Sequence, residues 1–218
     1  MDQRNSNNNP SETDGRAKRA SMMAAMLIAF PAMIAVWLSI YFFWPPVSEM
    51  TDLTARFAYA LKWCCIAILL CLVAGVEAVS HERLQTDAFD PLAGHETRRL
   101  KINQRYLQNT LEQTVIFAPG LLTLAVYCAD GASMRAVVAT AVVWILSRAA
   151  FWIGYHVGPA YRVMGLFGVA QSLIVLLYGC GRFGYELGGI AGAAVPLGLF
   201  GLIELILVRA TRPRSARP

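Results

Sequence analysis

The chain has 218 residues, of which 56% are hydrophobic and 15% charged, with a formal net charge of +5. Average soluble domains carry about 25% charged residues, so this composition argues against an ordinary soluble protein. The basic residues lie mainly in short loops and tails, without a zinc or helix-turn-helix signature, which argues against a nucleic-acid partner.

Polar and apolar stretches alternate along the chain. Residues 1–20 are polar and rich in Asn and Ser, which predicts a disordered cytoplasmic tail, and residues 21–218 are expected to form a single membrane domain. A membrane-spanning helix needs roughly 20 mostly apolar residues, and continuous apolar runs favour helices over a barrel. Six such segments follow in chain order, named A to F: 22–44, 57–79, 102–128, 135–157, 162–181 and 187–208. The sequence therefore predicts an all-α integral membrane protein with about six spans.

Helix breakers separate several of these segments. Segment A ends at Trp44, which two prolines follow, Asp130 begins a tight turn between C and D, and Gly158 precedes a proline between D and E. Segment F is rich in Gly and Ala and contains Pro196 and Glu204. It could be either a full span or an interfacial segment.

Lys and Arg are distributed unequally between the two sides that six spans would define. Fourteen lie in the two tails, around the B–C loop and after segment D, whereas four lie on the opposite side. Because cytoplasmic loops carry an excess of Lys and Arg, both termini are expected in the cytoplasm. A bacterial inner membrane is expected from the short bundle and the lack of a targeting signal.

Six polar side chains lie within or beside the apolar segments C, D and E. They are Arg105, Asn109, Glu112, Arg148, Tyr155 and Arg162. The three in segment C are spaced by four and three residues, which places them on one helical face. Charge at bilayer depth is costly and usually paired or functional. We therefore expect these six groups to converge in the cytoplasmic half of the membrane, around an anionic ligand with several carboxylates and an amine.

A purely structural interpretation of these residues stays open. Arg105 and Arg162 could extend to lipid phosphates, Asn109 and Glu112 could link helices by hydrogen bonds, and Glu112 could form a buried ion pair with Arg148. The five cysteines and three histidines show no metal-ligand spacing, so no metal site is predicted.

The motifs around these positions resemble a membrane protein family. The stretch from Arg105 to Glu112 has the form R-x-x-x-N-x-x-E at the start of a membrane helix and continues as QTVIFAPGLLTL. A second stretch, SRAAFWIGY, ends at Tyr155 and is followed by GPAYR, which ends at Arg162. Over residues 57–182 the chain resembles the MAPEG family, the membrane-associated proteins in eicosanoid and glutathione metabolism.

The resemblance implies a left-handed four-helix membrane bundle that assembles as a homotrimer, with glutathione bound between subunits near the cytoplasmic face. Segments A and F would then be an extra N-terminal and an extra C-terminal membrane helix. By the same resemblance Arg105 would hold a glutathione carboxylate, Asn109 would bond its peptide part and Glu112 would accept from its amine. Arg148 and Tyr155 would complete the glutathione site.

The implied activity is that of a membrane-embedded glutathione-dependent transferase or peroxidase, acting on an apolar electrophile or a lipid hydroperoxide. Arg162 would be its catalytic residue, because a nearby guanidinium stabilises a thiolate, and a thiol with a pKa of about 8.5 is mostly protonated at neutral pH. Phe151 stands where some catalytic members have a tyrosine, and the family includes a member that binds lipid without catalysis. A non-catalytic lipid-binding or scaffold protein of the same fold is therefore the alternative. A small transporter is a third, which the lack of internal repeats disfavours.

Overall fold

The computed structural model describes the backbone of residues 10–158 and 161–211. Over these residues the protein is helical, without a strand, and its α-helices are α1 Pro10–Phe43, α2 Leu53–Ala67, α3 Ala74–Leu84, α4 Arg98–Tyr127, α5 Arg135–Val157 and α6 Leu166–Thr211. Short 3-10 helices cover Asp87–Phe89 and Tyr161–Gly165. Five helical stretches are long and apolar enough to cross a membrane: Arg19–Phe43, Leu53–Leu84, Arg98–Tyr127, Arg135–Val157 and Tyr161–Thr211. The predicted all-helical membrane fold is confirmed.

Helix α1 begins inside the segment that was predicted to be a disordered tail. Its first residue is Pro10, so residues 10–20 are helical instead. Proline is favoured in the first turn because the N–H that it lacks would have no intrahelical partner there. Residues 1–9 of the predicted tail lie outside the described residues.

Segment B is one continuous span that contains an irregular turn. Helices α2 and α3 are joined by a π-helix at Ile68–Val73. Within this π-helix the carbonyl oxygen of Cys71 accepts a hydrogen bond from the Tyr106 hydroxyl of α4, at 3.0 Å. The same carbonyl also accepts from the backbone N–H of Ala74. The hydroxyl of the buried Tyr106 thereby has the hydrogen-bond partner that it needs.

Segments E and F lie in one helical stretch that folds back on itself. The stretch is interrupted at Gly189, whose φ of 61° and ψ of −145° lie in a region that essentially only glycine adopts. A Cβ atom on Gly184 would lie 2.4 Å from the carbonyl oxygen of Gly192, and one on Gly181 would lie 3.4 Å from the Leu197 side chain. Residues 181 and 197 would be about 24 Å apart in a straight helix. The six predicted segments are therefore present, in five helical stretches.

The apolar core lies between the α2–α3 span, α4 and α5. Its buried members are Ala60, Cys64, Ala67, Cys71, Phe117, Leu121, Ala125, Cys128, Met134, Val137, Ala141 and Trp144. Helix α1 packs outside this core, mainly against α5. Trp37 Nε1 donates to Thr140 Oγ1 at 3.1 Å, and the Arg135 guanidinium donates to the carbonyl of Tyr41 at 3.2 Å. The second bond satisfies a carbonyl at the end of α1, which helix geometry would otherwise leave free.

Candidate functional site

All six predicted site residues line one cavity of about 560 Å³ at one end of the bundle. Its polar lining residues are Arg105, Gln108, Asn109, Glu112, Gln113, Arg148, Tyr155 and Arg162. They come from the first half of α4, the last half of α5 and the 3-10 turn before α6. The antiparallel course of α4 and α5 brings these parts to the same end. The volume is in the range of small-molecule sites.

Arg148 forms the floor of this cavity, with 1% of its surface exposed. It donates to Asn109 Oδ1 at 2.8 Å and to the carbonyl oxygen of Gly165 at 3.0 Å. Its guanidinium carbon also lies 4.9 Å from the centre of the Phe151 ring. One planar fork thus ties α5 to α4 and to the turn before α6, a geometry that suits arginine and not lysine.

The bond from Arg148 fixes the orientation of the Asn109 side chain. Because Asn109 Oδ1 accepts from Arg148, the amide nitrogen of Asn109, with its two N–H donors, remains for other partners. Asn109 is half-buried and lines the cavity. It is therefore placed to donate to a carbonyl group of a ligand.

The exposed face of α4 carries a short polar row. Arg105 donates to Gln108 Oε1 at 3.5 Å, and Gln108 Nε2 donates to Glu112 Oε1 at 3.3 Å, both long hydrogen bonds. Arg105 and Glu112 are exposed. The suggested buried ion pair between Glu112 and Arg148 does not form, because Arg148 is directed at Asn109 and Gly165. Within the part of the chain that the structure describes, two opposite charges on one exposed face are therefore held only by long hydrogen bonds to Gln108, which a ligand with both a carboxylate and an amine could replace.

Arg162 lies in the 3-10 helix Tyr161–Gly165 and is exposed at the rim of the cavity. Its guanidinium carbon is 5.8 Å from the centre of the Tyr155 ring. The turn sits very close to α5, since a Cβ atom on Gly165 would lie 2.3 Å from the Phe151 Cβ. Glycine at this position lets the turn approach α5 and so places Arg162 above Tyr155.

Two glutamines of the cavity were not among the predicted residues. Gln108 lies three residues after Arg105 and four before Glu112, and Gln113 lies four residues after Asn109. Gln113 is buried, and its Oε1 has no hydrogen-bond partner among the described residues. Helical spacing from the three charged or amide residues of segment C would have identified both.

No group of three or more His, Cys, Asp or Glu side chains that could hold a metal ion occurs in residues 10–158 and 161–211. A family model described as the MAPEG family matches residues 55–184, which include every residue of the predicted site. Helix α1 and the last part of α6 lie outside that match. No curated protein and no solved structure matches the chain.

Proposed function

The chain belongs to the MAPEG family, and we propose that it is a membrane-embedded glutathione-dependent transferase or peroxidase. The family includes glutathione transferases, peroxidases and related proteins. The observation that carries the proposal is the single cavity that collects the cationic, anionic and amide groups of α4, α5 and the turn before α6.

The groups of the cavity complement those of glutathione, which has two carboxylates, one amine, two amide groups and a thiol. The planar fork of Arg105 suits a carboxylate, and the Glu112 carboxylate suits the ammonium group. Asn109 has free N–H donors for a peptide carbonyl, because its oxygen is held by Arg148. Arg148 then acts by positioning Asn109, since both of its terminal nitrogens are already bonded within the protein.

Arg162 is the residue that we assign to thiol activation. Its guanidinium would stabilise the glutathione thiolate, whose proton passes to water. In the transferase reaction the thiolate sulfur forms a bond to an electrophilic carbon, and the leaving group departs with its electron pair. In the peroxidase reaction two glutathione molecules reduce one hydroperoxide, which yields an alcohol, water and glutathione disulfide.

The apolar substrate would arrive from the bilayer, and glutathione from water. The excess of Lys and Arg around the cavity end of the helices supports an orientation in which this end and both termini face the cytoplasm.

The test is the ultraviolet difference spectrum of the purified protein on addition of reduced glutathione, together with binding measured by calorimetry. We expect a thiolate band that Arg162→Ala removes while binding persists. The double variant Arg105→Gln with Glu112→Gln should lose binding. Arg182→Ala is the matched control, because Arg182 lies on α6 over the Tyr127 ring, away from the cavity. Full affinity in the double variant would overturn the site assignment.

Phe151 favours a second candidate function. Its ring lines the cavity and has no hydroxyl group to support a thiol at the position where some catalytic relatives have a tyrosine. If the chain binds glutathione without forming the thiolate band, or does not bind glutathione at all, the result would fit a non-catalytic lipid-binding or scaffold role on the same fold.

A further inference from the structure

A second cavity, of about 590 Å³, lies between α1 and the rest of the bundle, and we propose that it binds an apolar molecule carrying one hydroxyl group. It shares no lining residue with the glutathione cavity. Its walls are the stretch of α1 from Phe30 to Tyr41 and the stretch of α6 from Phe167 to Tyr178, with smaller contributions from α4 and α5. It therefore lies farther along the same helices, towards the opposite end of the bundle.

The cavity has an exposed apolar rim and a buried polar floor. Ile34 and Leu38 on α1 and Ile174 on α6 are more than two-fifths exposed, whereas Thr140 and Gln171 are 1% and 7% exposed. All five residues line the cavity. Since these helices cross the membrane, the rim faces lipid and a ligand would enter from the bilayer.

Gln171 has one polar atom, at the floor of this apolar cavity, that lacks a hydrogen-bond donor within residues 10–158 and 161–211. Its Nε2 donates to the carbonyl oxygen of Thr140 at 2.7 Å, which fixes the orientation of the amide. The remaining atom, Oε1, is buried and has no hydrogen-bond partner among the described residues. The nearby Trp37 N–H does not fill this role, because it donates to Thr140 Oγ1. Buried polar atoms are almost always bonded, so the floor lacks one donor.

The missing donor selects the class of ligand. An alcohol or phenol has an O–H that would donate to Gln171 Oε1 once ligand entry exposes this enclosed oxygen, and an apolar body that fits the walls. Plain acyl chains, ketones and esters have no donor and would leave this oxygen unsatisfied.

The site is a feature of this chain and not of the family region alone. Helix α1 supplies one wall and lies outside the matched residues 55–184. The Trp37–Thr140 hydrogen bond attaches α1 directly at the floor of the cavity. The proposal does not rest on glutathione chemistry, because the two cavities have separate linings.

The experiment uses the purified full-length chain and a photoreactive hexadecanol with a diazirine in its alkyl chain. The methyl ether of the same probe is the matched control ligand, since it keeps the shape and lacks the donor. We expect the alcohol to label peptides from residues 30–41 and 167–178 about fivefold more than the ether, as one hydrogen bond implies. Unlabelled hexadecanol should compete with this labelling.

Gln171→Leu should reduce labelling by the alcohol to the level of the ether. Ser172→Ala is the control variant, because Ser172 is also buried, donates to the carbonyl of Gly168 and does not line the cavity. The Arg105→Gln with Glu112→Gln variant should label like the wild-type chain, even if glutathione binding fails.

Equal labelling by the two probes on the unsubstituted chain would mean an ordinary lipid chain in the cavity and would overturn the proposal. This comparison decides the question even if Gln171→Leu does not fold. Cross-links between two copies of the chain at this face, without probe labelling, would also overturn it.

Discussion

At the scale of single residues, Arg148 and Asn109 have different roles: Arg148 stabilises the fold, whereas Asn109 has donors left to bind a ligand. Arg148 bridges Asn109 Oδ1 and the Gly165 carbonyl, and Asn109 keeps its N–H donors for a ligand. An aspartate at position 109 would still accept from Arg148 but would have no N–H to donate. A lysine at position 148 has a single ammonium group and cannot reproduce the planar fork.

We therefore expect Asn109→Asp to keep the wild-type melting temperature in detergent and to lose about tenfold or more in glutathione affinity, as one lost hydrogen bond of this kind implies. Arg148→Lys should lower both the melting temperature and the affinity. Thermal unfolding and calorimetry on the same preparations measure the two effects. Wild-type affinity in Asn109→Asp would show that the Asn109 amide does not donate to the ligand.

At the scale of elements, the turn between α4 and α5 is built around one carboxylate. Asp130 Oδ1 accepts from the backbone nitrogen of Ser133 at 2.8 Å and from its hydroxyl at 2.9 Å. These hydrogen bonds, the backbone one foremost, hold the pKa of Asp130 below its ordinary value. Because folding favours the ionised form, the stability it contributes is present above the unfolded pKa of about 3.9 and is lost as the pH falls through the folded pKa.

Asp130→Asn should therefore lower the melting temperature at neutral pH, and its difference from the wild-type chain should shrink below about pH 4. Melting temperatures in detergent between about pH 3 and 7 measure this difference. Ser133→Ala removes the hydroxyl donor to the carboxylate and also the acceptor of the Ala129 and Asp130 backbone N–H groups. Because it keeps the backbone donor to the carboxylate, it should show a weaker pH dependence of the same sign. A difference that stays constant across this range would contradict the assigned role of the carboxylate.

At the scale of the whole molecule, the sequence predicted the spans better than the contacts between them. Segment D was predicted at 135–157, the observed bounds of α5, because the thickness of the bilayer dictates the length of an apolar helix. The fold-back between segments E and F was not predicted, because it depends on the backbone approach of Gly184 and Gly192. The helical start at Pro10 was also not predicted, because the polar composition there resembles that of a tail.

The candidate site could likewise be predicted only in part from the sequence. Helical spacing places Arg105, Asn109 and Glu112 on one face, so their shared cavity could be predicted from the sequence. The partner of Arg148 could not, since Asn109 and Glu112 are both within reach by spacing and only packing selects Asn109. The second cavity also depends on how α1 packs, which no spacing in the sequence determines.

The exposed charges on α4 bear on assembly. Arg105 and Glu112 are exposed in the single chain, although α4 is long and apolar enough to cross the membrane. A lipid-exposed charged side chain is costly, by about 2.5–3.5 kcal/mol at the bilayer centre on insertion scales and less towards the interface. A neighbouring copy that covers this face would therefore stabilise the protein. Members of the MAPEG family generally form trimers. We propose a homotrimer here, and light scattering of the purified protein should give the mass of three chains.

Whether each site of such a trimer is formed by one chain or by two can be tested with trimers that contain two different variants. Arg105, Glu112 and Arg162 line the same cavity of one chain, so a trimer of Arg105→Gln with Glu112→Gln chains and Arg162→Ala chains contains no cavity with all three residues. Differently tagged chains, co-expressed and purified through both tags, should therefore show no thiolate band with glutathione. Trimers of wild-type and Arg182→Ala chains, prepared in the same way, should keep the band. A band in the first mixture would mean that the two arginines of a working site come from different chains.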